Sequence, residues 1–73
     1  MKQKYNRRTK KLTEREKEFL KLLSEGYTDP QIAEKLNLAV TTVTNMCAMV
    51  RLKTGTVNRP HLVGWAYRHN ILQ

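Results

Sequence analysis

An all-α fold of four short helices is predicted by three features of the sequence. Apolar residues recur at helical spacing in four successive segments, and no stretch alternates apolar with polar residues as a half-buried strand would. Three of the segments open on a side chain suited to capping a helix: Thr13, Thr28 and Asn58. Three close on a residue that tolerates the left-handed region: Gly26, Asn37 and Gly55. A chain of 73 residues has room for one domain. At that length only about 60% of the unfolded surface is buried, so the core is small.

Residues 1–11 carry no apolar period, so they read as a disordered arm. The first helix starts at Thr13, which with Glu16 makes a Thr-x-x-Glu capping box. Glu14 and Glu16 also suit the positive end of the helix dipole. Phe19, Leu20, Leu22 and Leu23 form its apolar stripe, and Gly26 ends it. In the second helix Thr28 caps, Asp29 and Pro30 fill the first turn, and Gln31 completes another box. Ile32, Ala33 and Leu36 are its inner face; Asn37 stops it, and residues 38–40 connect onward. The third helix runs from Val40 or Thr41 to Thr54, with Val43, Met46, Cys47 and Val50 on one face. The fourth starts at Asn58 with Pro60 in its first turn. Leu62, Val63, Trp65 and Ala66 are its apolar content, Trp65 is expected in the core, and Ile71 and Leu72 cover the core's end.

Charge indicates the partner. Lys and Arg number 14 against 6 acids, a net +8. Six of those cations, Lys2, Lys4, Arg7, Arg8, Lys10 and Lys11, fall in the first eleven residues with no acid among them. A field of that sign favours nucleic acid or an anionic membrane surface. The arm is either a solvated tail or a phosphate-contacting arm. No apolar run approaches the roughly 18 residues of a membrane span. No apolar stretch follows the basic N-terminus as in a secretory signal, so a cytoplasmic protein without a membrane partner is expected. A single cysteine makes no internal disulfide. Cys47 lies on the core stripe and reads as a small hydrophobe rather than a redox switch. His61 and His69 lack the spacing of a zinc site with it and read as surface residues. No metal, cofactor or small-molecule ligand is expected. The chain has no Ser/His/Asp set, no glycine-rich phosphate loop and no paired inward carboxylates, so it does not read as an enzyme. An RNA-binding module would need an aromatic stacking surface, which scattered Tyr and Trp do not supply.

Two helices joined by a tight connection, the second presenting a polar face, describe a helix-turn-helix. The segment from Leu12 to Gly26 resembles the opening of the LuxR-type (GerE-type) DNA-binding domain. Ile32-Ala-Glu-Lys-Leu36 is similar to its scaffold helix and Thr42-Val43-Thr44-Asn45 to the start of its recognition helix. Lys53-Thr-Gly55 resembles the end of that helix and Leu62-Val-Gly-Trp-Ala66 its fourth helix. The likeness covers residues 12–69, with no gap from Thr13 to Gly55. It implies a four-helix LuxR/GerE-like helix-turn-helix domain over residues 12–73, preceded by the basic arm of residues 1–11. It also implies a bacterial transcription regulator that reads double-stranded DNA with its third helix in the major groove and forms a homodimer through its fourth. Having only eleven residues ahead of the domain, the chain resembles the stand-alone members.

On helix 40–54 the side opposite Val43 holds Thr41, Asn45, Ala48, Met49 and Leu52, with Thr44 and Arg51 flanking. The resemblance puts Thr44, Asn45 and Ala48 at bases, and the helical geometry adds Thr41 and Met49. Asn suits the adenine edge, and Thr or Ala methyls suit the thymine methyl. The resemblance puts Thr42 and Lys53 near the phosphate backbone; Thr28, Arg51 and the arm's Arg7, Arg8, Lys10 and Lys11 are further candidates. The chain departs from the family's pattern. Basic residues are usual where Thr44 and Leu52 stand and frequent at Ala48. A histidine is frequent at Met46, and a capping Ser or Thr is usual at Ala39. The apolar outer face of Ala48, Met49 and Leu52 admits a second reading: an adaptor of the same fold that binds another regulator or RNA polymerase. On the fourth helix, Val63, Gly64 and Tyr67 share a face and are the candidate dimer interface. Alternatively, Gly64 packs on the chain's own core.

Overall fold

Residues 11–72 are described by a computed structural model. The elements are α1 (Glu14–Ser24), α2 (Asp29–Leu36), α3 (Val40–Thr54) and α4 (Arg59–Arg68). Each boundary has a local cause. The Thr13 hydroxyl accepts from the Glu16 N–H at 3.1 Å, while Glu16 Oε1 accepts from the Thr13 N–H at 2.8 Å. Thr28 and Gln31 repeat the arrangement at the start of α2. Asn58 Oδ1 accepts from the His61 N–H at 2.9 Å to open α4. Only α3 starts without a side-chain cap, on Ala39. Helix ends follow the left-handed rule: Asn37 at φ 60° and Gly55 at φ 72° turn the chain out of α2 and α3, and Gly26 takes φ 94° after α1.

The core draws on every helix: Phe19 and Leu20 from α1, Ile32 and Ala33 from α2, Val43, Cys47 and Val50 from α3, Leu62 and Ala66 from α4. Leu12 closes it on one side. After α4, Asn70 takes φ 62°, and the Ile71 and Leu72 N–H groups both donate to the Ala66 carbonyl. That turn folds the C-terminal segment back, so Leu72 is buried and Ile71 partly so. Trp65 departs from its expected place. Leu62 and Ala66, one turn apart, occupy the inward line of α4. Trp65 lies beside that line, packs on the edge of the core, and stacks on His69 with ring centroids 4.2 Å apart.

Two ion pairs tie elements distant in sequence. Lys53 Nζ, in the last turn of α3, lies 2.9 and 3.0 Å from the two carboxylate oxygens of Glu16. It also donates to the Lys11 carbonyl at 3.2 Å, which fixes the start of the described chain beside the end of α3. Arg59 makes a bidentate pair with Asp29, at 2.7 and 2.9 Å, and so joins the first turns of α4 and α2. Among the described residues, no buried side-chain nitrogen or oxygen lacks a hydrogen-bond partner.

Candidate nucleic-acid interface

Helices α2 and α3 are linked by Asn37, Leu38 and Ala39 alone. The turn is rigid because the Leu38 N–H donates back to the Ala33 carbonyl at 2.8 Å and Leu38 packs against the core. With Val43, Cys47 and Val50 directed inward, α3 turns its other side outward. Thr41, Thr42, Thr44, Asn45, Ala48, Met49 and Leu52 are all exposed, so the helix presents the face that its period indicates. Beside it a shallow depression is lined by Thr44, Cys47, Ala48, Arg51, Val57 and Arg59. The apolar part of the face is real: Met49 is 47% and Leu52 46% exposed.

Thr44 is not a free side chain. Its hydroxyl lies 3.1 Å from Asp29 Oδ2, the carboxylate already held by Arg59. The hydrogen bonds from Arg59 keep the Asp29 carboxyl below the ordinary carboxylate range, against the opposing effect of burial; the Arg59 charge and the Thr44 hydrogen bond add to the lowering. The same pairing raises Arg59. Thr44, on α3, thus shares one polar network with the first turns of α2 and α4. This network was not visible in the sequence, because its members come from three helices.

The cations are distributed unevenly. Arg51 is half-buried and donates to the Val57 carbonyl at 3.3 Å. Lys53, expected at a phosphate, has its ammonium turned inward onto Glu16, with side chains only 15% and 10% exposed. Thr28 is exposed, but its hydroxyl serves as the α2 cap. Lys11 is exposed, and Arg7, Arg8 and Lys10 lie outside the described residues. Lys35, on α2, sits 4.6 Å above the Tyr27 ring. On α4, Val63 is half-buried and Tyr67 is 47% exposed. A Cβ on Gly64 would meet only the Arg68 guanidinium, at 3.3 Å, so this glycine does not pack on the chain's own core. Among the described residues no group of His, Cys, Asp and Glu could hold a metal ion. No helix there is long and apolar enough to cross a membrane.

A tight connection between two helices, with the second exposed along a polar and small-residue face, defines the class: a helix-turn-helix domain. The chain belongs to the LuxR family of bacterial regulatory proteins, whose GerE model matches residues 10–66. At the level of that family it is a DNA-binding transcription regulator and not an enzyme. It is 34% identical over 62 residues to the response regulator protein VraR of Staphylococcus aureus, and equally so to the VraR proteins of Staphylococcus saprophyticus and Staphylococcus epidermidis. Those alignments cover 85% of this chain and 30% of each relative, so the chain spans less than a third of their length. No solved structure matches the chain.

Proposed function

We propose that the chain is a sequence-specific regulator of transcription that inserts α3 into the major groove of double-stranded DNA. The observation that carries this reading is the exposed run of Thr41, Thr44, Asn45 and Ala48 on a helix whose opposite side buries Val43, Cys47 and Val50. Their donors, acceptors and methyl groups match what base edges offer in that groove. Thr42 at the start of α3 and Arg51 beside the face serve the phosphate backbone, with the basic residues 1–11 supplying the remaining charge. Lys53 instead anchors α3 to α1. The protein acts in the bacterial cytoplasm as a homodimer. The face of Val63, Gly64 and Tyr67 would pair two α4 helices once the Arg68 guanidinium, 3.3 Å from where a Gly64 Cβ would stand, swings aside to let the helices approach.

Selection from random duplex DNA tests the reading, and an enriched, roughly palindromic motif supports it. Asn45→Ala then costs about 1–3 kcal/mol on the selected site and relaxes preference at one base pair, while non-specific binding, which comes from phosphates, stays unchanged. Gly64→Leu weakens cooperative binding to two half-sites. The half-exposed Met49 and Leu52 favour one second reading, a protein-binding adaptor that contacts another regulator or RNA polymerase. No enriched motif at low salt, with a partner complex broken by Leu52→Arg, selects the adaptor.

A further inference from the structure

Thr44 stands where a basic residue is usual in the family, and the structure gives it an unusual neighbour. Its Oγ1 lies 3.1 Å from Asp29 Oδ2. The other bonds to that carboxylate come from Arg59, at 2.7 and 2.9 Å, so both of its oxygens are held in place. The Asp29 side chain is only 17% exposed and cannot swing away freely. An ionised carboxylate accepts hydrogen bonds and donates none. The carboxyl of Asp29 stays ionised at neutral pH, because Arg59 holds its pKa down. The hydroxyl hydrogen of Thr44 must therefore point at Asp29.

A threonine with a free hydroxyl reads either kind of base edge, since its hydrogen rotates to suit. With that hydrogen committed, Thr44 offers the groove only an acceptor oxygen and a methyl group. We infer that Asp29 is a specificity-determining residue that never touches DNA: through Thr44 it makes position 44 an acceptor-only reader. The reader selects a base bearing an exocyclic amino group, adenine N6 or cytosine N4. It rejects guanine, whose major-groove edge carries only acceptors, O6 and N7. A basic side chain at this position would select guanine, so the network reverses the preference. This inference rests on the reading of α3 as the groove-bound helix.

Exchange of one atom in the network tests it. In Asp29→Asn the amide oxygen keeps one Arg59 bond, and the amide nitrogen, which cannot accept from a guanidinium, loses the other. The nitrogen then donates to Thr44, and the hydroxyl hydrogen becomes free to meet guanine. Thr44→Val keeps the shape and removes the hydroxyl, on an exposed position that leaves folding intact. Wild type, Asp29→Asn, Thr44→Val and Thr44→Ser are each selected against random duplex DNA, with melting followed by circular dichroism.

Wild type is expected to deplete guanine at one position of the contacted strand, by roughly fivefold, the lower end of a base contact. Thr44→Ser retains that depletion, Thr44→Val abolishes it, and Asp29→Asn turns it toward tolerance of guanine. Preference at other positions stays. A wild-type motif in which guanine is preferred there, or in which Thr44→Val leaves the guanine depletion untouched, overturns the inference while DNA recognition by α3 stands. A wild type that enriches no motif overturns both.

Discussion

Replacing Lys53 by Met should be the most damaging single change that spares the apolar core. Lys53 Nζ makes three hydrogen bonds, two to Glu16 and one to the Lys11 carbonyl. The pair is nearly dry, with 15% and 10% of the side chains exposed. Met preserves the stem's packing and leaves a buried carboxylate whose remaining partner is the Thr13 N–H. Removing one member of a buried pair costs about 3–5 kcal/mol, because the other charge stays buried without compensation. At roughly 0.05–0.15 kcal/mol per residue, a domain of this size has about 4–11 kcal/mol in total. A loss of about 3 kcal/mol lowers Tm by roughly 12–24 °C. If the uncompensated charge is the cause, removing it should help. In the double variant Lys53→Met, Glu16→Gln, the amide oxygen still accepts from the Thr13 N–H while the charge is gone. About 1–2 kcal/mol should return. Urea unfolding of wild type, both single variants and the double closes the cycle. A double variant no more stable than Lys53→Met would refute the reasoning and assign the loss to packing alone.

Two further outcomes follow from the caps and the second ion pair. Asp29 has a depressed carboxyl pKa in the fold, so its contribution is present above the unfolded Asp value of about 3.9 and is lost as pH falls through the lower folded value. Unfolding from pH 6 to 2 should show wild type losing more stability below about pH 4 than Asp29→Asn; equal slopes would mean that the pair is solvated. Ala39→Ser should supply the cap that α3 lacks, since Ala39 already has the extended backbone of a capping residue, at φ −72° and ψ 151°. The gain is about 1 kcal/mol, or roughly 4–8 °C in Tm by calorimetry, and an unchanged Tm would count against a capping deficit.

The helix ends were legible because their causes are local. A capping box needs four residues, and Thr13, Glu16, Thr28 and Gln31 carry it in the sequence as they do in the structure. Periodicity likewise selected Val43, Met46, Cys47 and Val50 as the inner side of α3, and hence its outer side; Met46 alone of the four is only partly buried, packed against the core. What the sequence did not disclose lies in pairs that only packing creates. Glu16 reads as a first-turn carboxylate facing the dipole and Lys53 as a phosphate ligand. They are 37 residues apart, and their burial depends on how the first turn of α1 meets the last turn of α3. Asp29 and Arg59, 30 residues apart, each look like surface charges at a helix start. Trp65 was misplaced for a related reason. Size and apolarity suggest the core, but a ten-residue helix has one inward line, and Leu62 and Ala66 fill it.

The same pairs bear on where DNA affinity comes from. Helix α3 carries two cations and no acid, but Lys53 is neutralised by Glu16 and Arg51 is bonded to the Val57 carbonyl. Asp29, the acid bonded to Thr44 on that face, is offset by Arg59. The face itself therefore keeps one cation without an acidic partner, Arg51, and a single cation contributes little of the phosphate attraction that dominates protein–DNA affinity. Residues 1–11 hold six cations and no acid, and Lys53 fixes the carbonyl of Lys11, the last of them, beside the end of α3. On the proposed reading the two tasks are separate: α3 would set preference and the arm strength. Deleting residues 1–11 should flatten the slope of log K against log salt by roughly 3–5 units, at about 0.9 per phosphate contact if most of the six engage. The selected motif should survive the deletion, since phosphate contacts carry no sequence information. Asn45→Ala should do the reverse, altering the motif and leaving the slope. Fluorescence anisotropy at several salt concentrations, on the selected site and on a scrambled duplex, measures both quantities for both variants. An unchanged slope after deletion would make the arm a solvated tail and require the affinity to come from Arg51 and the start of α3.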